Sequence, residues 1–204
     1  MSLDKLPINL FDFLLLGVLV AGVFRGRKQG MSEEFLGLVK WLLIVAVGAF
    51  TYRPLGKFLA DTSRLFSLLT CYLIAYVLIT ILLVSVFALL KRAIGGKLLG
   101  SDIFGSAEYY LGMGSGLVRF SCILIAGLAL LNARAYTTNE IQEMEKFQDR
   151  EFGSQYFPTL ASIQASVFQK SMTGPWIHEN LSFLLIEPTR PENKELHQKE
   201  FTFH

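Results

Sequence analysis

Residues 65–90, LFSLLTCYLIAYVLITILLVSVFALL, run for 26 positions without a charged side chain. As a helix rising 1.5 Å per residue, this run is about 39 Å long, more than the roughly 30 Å hydrocarbon core of a bilayer, so it crosses with some tilt. Fifteen of residues 67–90 are Leu, Ile, Val or Phe. At about −0.3 to −0.6 kcal/mol each, their summed insertion energy is on the order of −5 to −9 kcal/mol, an upper bound because the values shrink toward the ends. The whole chain agrees with this segment: 52% of its residues are hydrophobic and its mean hydropathy is +0.44, which soluble domains seldom reach.

Three weaker candidate spans flank it. Residues 8–24 carry only Asp12, residues 33–52 carry Lys40 after their opening acids, and residues 109–131 carry Arg119. A central charge costs about 2.5–3.5 kcal/mol on the insertion scale, which the surrounding apolar residues offset. The expectation is an all-α polytopic membrane protein with about four transmembrane helices in residues 1–133, an amphipathic helical tail at 134–186 and a disordered terminus at 187–204. The first span does not read as a signal peptide. Its amino end, MSLDKLP, has no net charge, and a basic cluster rather than a small-residue cleavage site follows.

Charge is unevenly spread. Residues 1–133 hold 12 Lys and Arg against 7 Asp and Glu, whereas residues 134–204 hold 7 against 10. Within the spans' connections, Arg25, Arg27, Lys28, Lys91, Arg92 and Lys97 fall on one side, and Lys5, Arg53, Lys57 and Arg64 on the other. The positive-inside bias of six against four puts both termini outside the cytoplasm. The six basic residues are explained by orientation and by lipid headgroups, so nucleic-acid binding has no support; the bilayer is the expected partner.

The stretch EYYLGMGSGLVR, residues 108–119, has alternating glycines but does not fit a phosphate-binding loop. No strand precedes the glycines, Leu-Val-Arg rather than Lys-Ser or Lys-Thr follows them, and an apolar helix of membrane length continues. Gly112 and Gly116 instead lie four apart on one helical face, as do Gly22, Gly26 and Gly30 at the end of the first span. Such faces let another backbone approach closely and serve either helix packing or self-association. The intramembrane charges divide differently. Asp12 fits a helix-start residue at the interface, and Lys40 can snorkel back to the headgroups. Arg119, about 10 Å along its span from Gly112, needs an acidic partner, with Glu34 and Glu33 the nearest by depth. Asp12, Glu34 and Arg119 are the polar positions expected to carry function, as a polar path through the bundle.

In the tail, Asn139 three residues before Gln142 predicts a capped helix at 139–151. Leu160, Ile163 and Val167 share a helical face, and Pro175 suits a first helical turn ahead of an apolar segment too short to span, which lies at the membrane surface or packs on the other tail helices. Cys71 and Cys122 stand in apolar runs as small core residues. His178, His197 and His204 lack a metal-ligand spacing, and no catalytic triad, zinc motif or nucleotide motif is present, so neither cofactor nor reaction is expected.

Two patches carry a family resemblance. Asp12 in the opening of the first span is followed eighteen residues later by Gly30 and then by Glu34, similar to an aspartate followed by an R-G-F-x-x-E segment. EYYLGMGSGLVR is similar to D-R-x-L-G-x-x-x-G-x-x-R, matching at Gly112, Gly116 and Arg119. Over residues 8–133 the chain thus resembles the CvpA (colicin V production protein) family of small bacterial inner-membrane proteins. It departs from the pattern at Gln29, where a basic residue is usual, and at Glu108 and Tyr109, which replace the Asp-Arg pair. The resemblance implies a non-enzymatic role in colicin V production or export, in transport, or in envelope maintenance. The alternative is a membrane scaffold whose tail recruits a partner protein.

Overall fold

In the computed structural model, the structure describes residues 9–63, 66–98, 105–152 and 158–190. Among these the chain is all helical: α1 (Leu10–Thr62), α2 (Leu68–Leu98), α3 (Glu108–Asn132), α4 (Thr138–Phe152), α5 (Leu160–Phe168) and α6 (Thr173–Asn180), with short 3-10 turns at Gly105–Ala107 and Ser182–Leu184. Three of these helices, α1, α2 and α3, are long and apolar enough to cross a membrane.

The first is not one rod. Its 53 residues would extend about 80 Å, more than twice the hydrocarbon thickness. At Gly30 the backbone adopts φ 75°, ψ 168°, a conformation open essentially only to glycine. Along the first half, Gly22 lies against Gly116, Gly26 against Gly112, and Gly30 against Glu108. Along the second half the order reverses: Gly37 faces Arg119, Val45 clusters with Cys122 and Ala126, and Tyr52 clusters with Ala129 and Ala133. The chain therefore doubles back at Gly30, and the two halves of α1 run antiparallel. The connection expected at residues 25–30 is correspondingly shorter: Arg25, Arg27 and Lys28 belong to the helix, and a single residue makes the turn.

Glu108 packs against this turn and caps the helix that follows it. Its Oε1 accepts the N–H of Ser32 at 3.0 Å, satisfying one of the unpaired donors that open the second half. α2 then packs antiparallel to that half, with the ring of Tyr76 over Gly48 and that of Tyr72 over Gly56. Tyr52 and Tyr72 meet edge to face, their centroids 5.4 Å apart. The next connection also differs from expectation, because α1 continues through Arg53, Pro54 and Lys57 to Thr62, and α2 continues through Lys91 and Arg92. Lys5 and Arg64 lie outside the described residues.

The tail is built into the bundle end where Tyr52 sits. Val167, Ile177, Leu185 and Ile186 are buried in one cluster with Tyr52, Tyr72, Tyr76, Leu128 and Ala129. Gln164 donates to the carbonyls of Leu131 and Arg134 at 3.1 and 3.0 Å, capping the end of α3, and Asn132 donates to the Ile186 carbonyl at 3.0 Å. The Glu187 N–H donates to the Tyr52 hydroxyl, Arg53 pairs with Glu187 at 3.1 Å, and Thr189 bridges to the segment beside Arg134. Residues 187–190, expected to belong to a disordered terminus, are thereby held in place; residues 191–204 lie outside the described residues.

Two local readings of the tail change. The cap of α4 is Thr137 with Glu140, not Asn139 with Gln142: the Thr137 N–H donates to Glu140 Oε2 at 2.9 Å, and the Glu140 N–H donates to Thr137 Oγ1. Both pairs have the capping-box spacing, but Thr137 and Glu140 supply the stronger hydroxyl–carboxylate combination. The Thr137 N–H holds the Glu140 carboxyl below the usual carboxylate range. On α5 the packed positions are Ala161, Gln164 and Val167, whereas Leu160 and Ile163 are both exposed. The requirement to cap α3 with Gln164 sets the rotation of that helix, overriding the apolar stripe.

Asp12 links the tail to the start of α1. It completes a capping box with Asn9, and its oxygens also accept the N–H groups of Met172 and Thr173 at 3.1 and 3.2 Å and the Thr173 hydroxyl at 2.6 Å. Asp12→Ala strands these donors and is expected to cost about 1–3 kcal/mol. Limited proteolysis should then cut the segment around residues 169–173 several-fold faster; an unchanged rate would show that the apolar cluster alone holds the tail.

Candidate functional site

The contact between the first half of α1 and α3 is made by main chain. A Cβ built on Gly112 would lie 2.5 Å from the Gly26 carbonyl oxygen, and one on Gly22 would lie 2.9 Å from that of Gly116. Cβ atoms on Gly26 and Gly116 would overlap the Gly112 and Gly22 carbonyl oxygens more deeply still. The two glycine faces read from the sequence thus meet each other within one chain, and all five glycines, including Gly30, are buried. Gly114, on the opposite side of α3, has open space beside it.

This close approach brings together the charges at the Gly30 end. Glu34, on the first turn of the second half of α1, is 1% exposed, and its Oε2 accepts a hydrogen bond from Nη1 of Arg119, which is 20% exposed. Arg25 adds a second guanidinium, its Nε 4.0 Å from Glu34 Oε1. Gly37 admits the arginine, since a Cβ there would sit 3.2 Å from Arg119 Nη1. Depth leaves Glu33 and Glu34 as candidate partners of Arg119, and the structure selects Glu34. Gly37 carries no signal in the sequence beyond its place one turn after Glu34, which puts it on the same face.

Tyr109 and Glu108, two of the three departures from the pattern that the sequence resembles, also have partners here. Tyr109 receives a hydrogen bond from Arg27, whose guanidinium lies 4.7 Å from the ring centroid, and Glu108 caps the second half of α1. Asp12 is elsewhere. It lies eighteen residues before Gly30, about 27 Å along the helix, at the tail end of the bundle. The structure unites Glu34 with Arg119 and places Asp12 apart from them. Lys40 is partly buried, its Nζ 5.7 Å from the Trp41 ring, and shares with Arg119 a cleft that opens beside the pair.

Cys71 and Cys122 are both buried free thiols. His178 packs edge-on against Phe168, while His197 and His204 lie outside the described residues. Among the described residues no group of three His, Cys, Asp or Glu side chains converges as metal ligands.

Two outcomes test this site. Gly26→Ala or Gly112→Ala forces backbone apart and is expected to cost about 1–3 kcal/mol, whereas Gly114→Ala is neutral or stabilises by up to about 1 kcal/mol. Reversible unfolding in detergent distinguishes them, and equal effects would refute the seam. Glu34→Gln and Arg119→Gln each leave a buried partner unpaired, at a cost of about 3–5 kcal/mol. The double variant should lose less than the sum by about 1–3 kcal/mol, and additivity would show the charges to be independent.

No curated protein and no solved structure matches the chain. A family model described as Colicin V production protein matches residues 11–181, covering the doubled-back first helix, the glycine seam, the ion pair and most of the tail, well beyond the two motifs that suggest the kinship. The chain belongs to the colicin V production protein family.

Proposed function

We propose that this protein works in the bacterial inner membrane as a non-enzymatic, four-span component of colicin V production, acting in export, in transport, or in maintaining the envelope on which export depends. The observation that carries this reading is the reversal at Gly30. It gives α1 two antiparallel halves of residues 10–29 and 31–62, about 30 and 48 Å long, each sufficient to cross the hydrocarbon core. Apolar side chains such as Leu14, Phe24, Phe50, Leu82 and Leu117 remain exposed and meet acyl chains in this arrangement.

Arg25, Arg27, Lys28, Lys91 and Arg92 gather at the Gly30 end, which the positive-inside rule places in the cytoplasm. The tail and both termini are then periplasmic. A non-enzymatic role fits the polar groups, since Glu34 and Arg119 engage each other and Asp12 engages backbone. The glycine faces are consumed inside the chain, so association with another copy or with other membrane proteins uses other faces. The scaffold reading finds support in α4, which leaves Phe147 exposed at the tail end. It requires tail removal to abolish colicin V secretion while Arg119→Gln, compared at equal protein level in the membrane, leaves secretion intact; the export or transport reading requires Arg119→Gln to reduce secretion at that same protein level.

Orientation is tested with single cysteines in a background lacking Cys71 and Cys122. In intact cells a membrane-impermeant thiol reagent is expected to label Glu143→Cys and not Lys28→Cys. Labelling of Lys28→Cys alone would invert the assignment, and labelling of both would overturn the four-span arrangement.

A further inference from the structure

Beside the Glu34–Arg119 pair, the second half of α1 and the end of α2 enclose a cleft of about 260 Å³. Four cations line it: Arg25, Lys40, Lys91 and Arg119. Against them stand two carboxylates, Glu33 on the rim and Glu34 beneath, so the cleft carries a net charge of +2. Glu34 is committed to Arg119, with Arg25 at the edge of its reach, and Glu33 accepts a hydrogen bond from Gln29. Among the described residues, neither Lys40 nor Lys91 has a carboxylate within ion-pair distance.

Two ammonium groups without an ion-pair partner, in a half-enclosed, partly apolar site where cations outnumber carboxylates, call for an anion from outside the chain. The lining indicates which kind. Lysine ammonium groups and arginine forks both suit phosphate oxygens. The opposite wall is Val84 and Phe87, and it continues onto an outward face of α2 where Ile81 and Leu82 are exposed. A ligand filling both parts has a phosphate at one end and a hydrocarbon chain at the other.

We propose that this cleft binds the phosphate of one anionic phospholipid, with Lys40 and Lys91 as its principal contacts, Arg25 and Arg119 flanking, and an acyl chain descending along α2. The proposal rests on placing the Gly30 end at a bilayer interface. Basic pockets between membrane helices on the cytoplasmic side are suited to anionic headgroups for the same electrostatic reason.

The test uses the full chain in an uncharged detergent at fixed ionic strength, with the thermal midpoint as readout. Dioleoylphosphatidylglycerol is expected to raise it saturably by about 5 °C, while dioleoylphosphatidylcholine and inorganic phosphate do not. Lys40→Gln/Lys91→Gln should abolish the rise, and Lys40→Arg/Lys91→Arg should retain it. If the glutamine pair does not fold, Lys91→Gln alone is read for at least a tenfold weaker response. Equal responses to the two lipids, or a full response in the glutamine variants, overturn the site. An equal response to inorganic phosphate assigns the cleft to a free anion and overturns the lipid. Failure of the membrane placement is separately visible as a cell fraction from which the chain is released without detergent; failure of the site alone leaves it in the membrane with no lipid selectivity.

Discussion

Backbone contact between two glycine-lined helix faces is the constraint on which the structure depends. Lipid offers no hydrophobic reward for bringing membrane helices together, so close packing of main chain against main chain must supply the attraction. Gly22 and Gly26 against Gly112 and Gly116 do this at one end of the bundle. At such short separation the side chains flanking the seam are fixed in depth relative to one another. Arg119, seven residues beyond Gly112, is thereby carried to the level of Glu34, four residues beyond the reversal at Gly30. The buried ion pair is thus a product of the seam's register and, once formed, a penalty on any other register, because slippage would strand two charges in a low-dielectric environment.

The two ends of the bundle are held by different chemistry. The Gly30 end has closely packed backbone, charges and a cationic cleft. The opposite end has aromatic rings, with Tyr52, Tyr72 and Tyr76 filling the space over small residues, and is closed by the tail through backbone carbonyls and amides. Asp12 belongs to this second set, as a helix cap that also receives the α5–α6 junction. Its kinship with Glu34 in the sequence pattern is therefore one of topology, since each stands in the first turn of a rod, whereas Arg119 lies within α3 as the counter-charge of Glu34.

What the sequence reveals follows from how local each cause is. The uncharged run that forms α2, the four-residue spacing of the glycines and the depth match of Arg119 with Glu33 and Glu34 are all readable, because each depends on composition or on helical repeat. The exact form of the reversal is not, since nothing in RGRKQG distinguishes a six-residue connection from helix ending in one glycine with positive φ; the decision falls to Glu108, 78 residues further on. The rotation of α5 is hidden for the same reason. Leu160 and Ile163 advertise an apolar face, but the unpaired carbonyls at the end of α3 demand Gln164. The tail reads as a separate polar module because its charges dominate composition, whereas the few residues that join the core, Val167, Ile177 and Ile186, are spread over some twenty positions.

Asp12 accepts hydrogen bonds from a residue 161 positions later, and the first rod meets α3 across a shorter but still long stretch of chain, Gly22 against Gly116 and Gly26 against Gly112. During synthesis, the amino-terminal rod therefore enters the bilayer long before either of its partners exists. Until α3 arrives, its glycine face is exposed to lipid; until the last helix arrives, its Asp12 end lacks its final bonds. Assembly of this small protein has a prolonged unfinished stage, in which the half-hairpin turning at Gly30 must persist on its own apolar length or be sheltered by another component of the membrane.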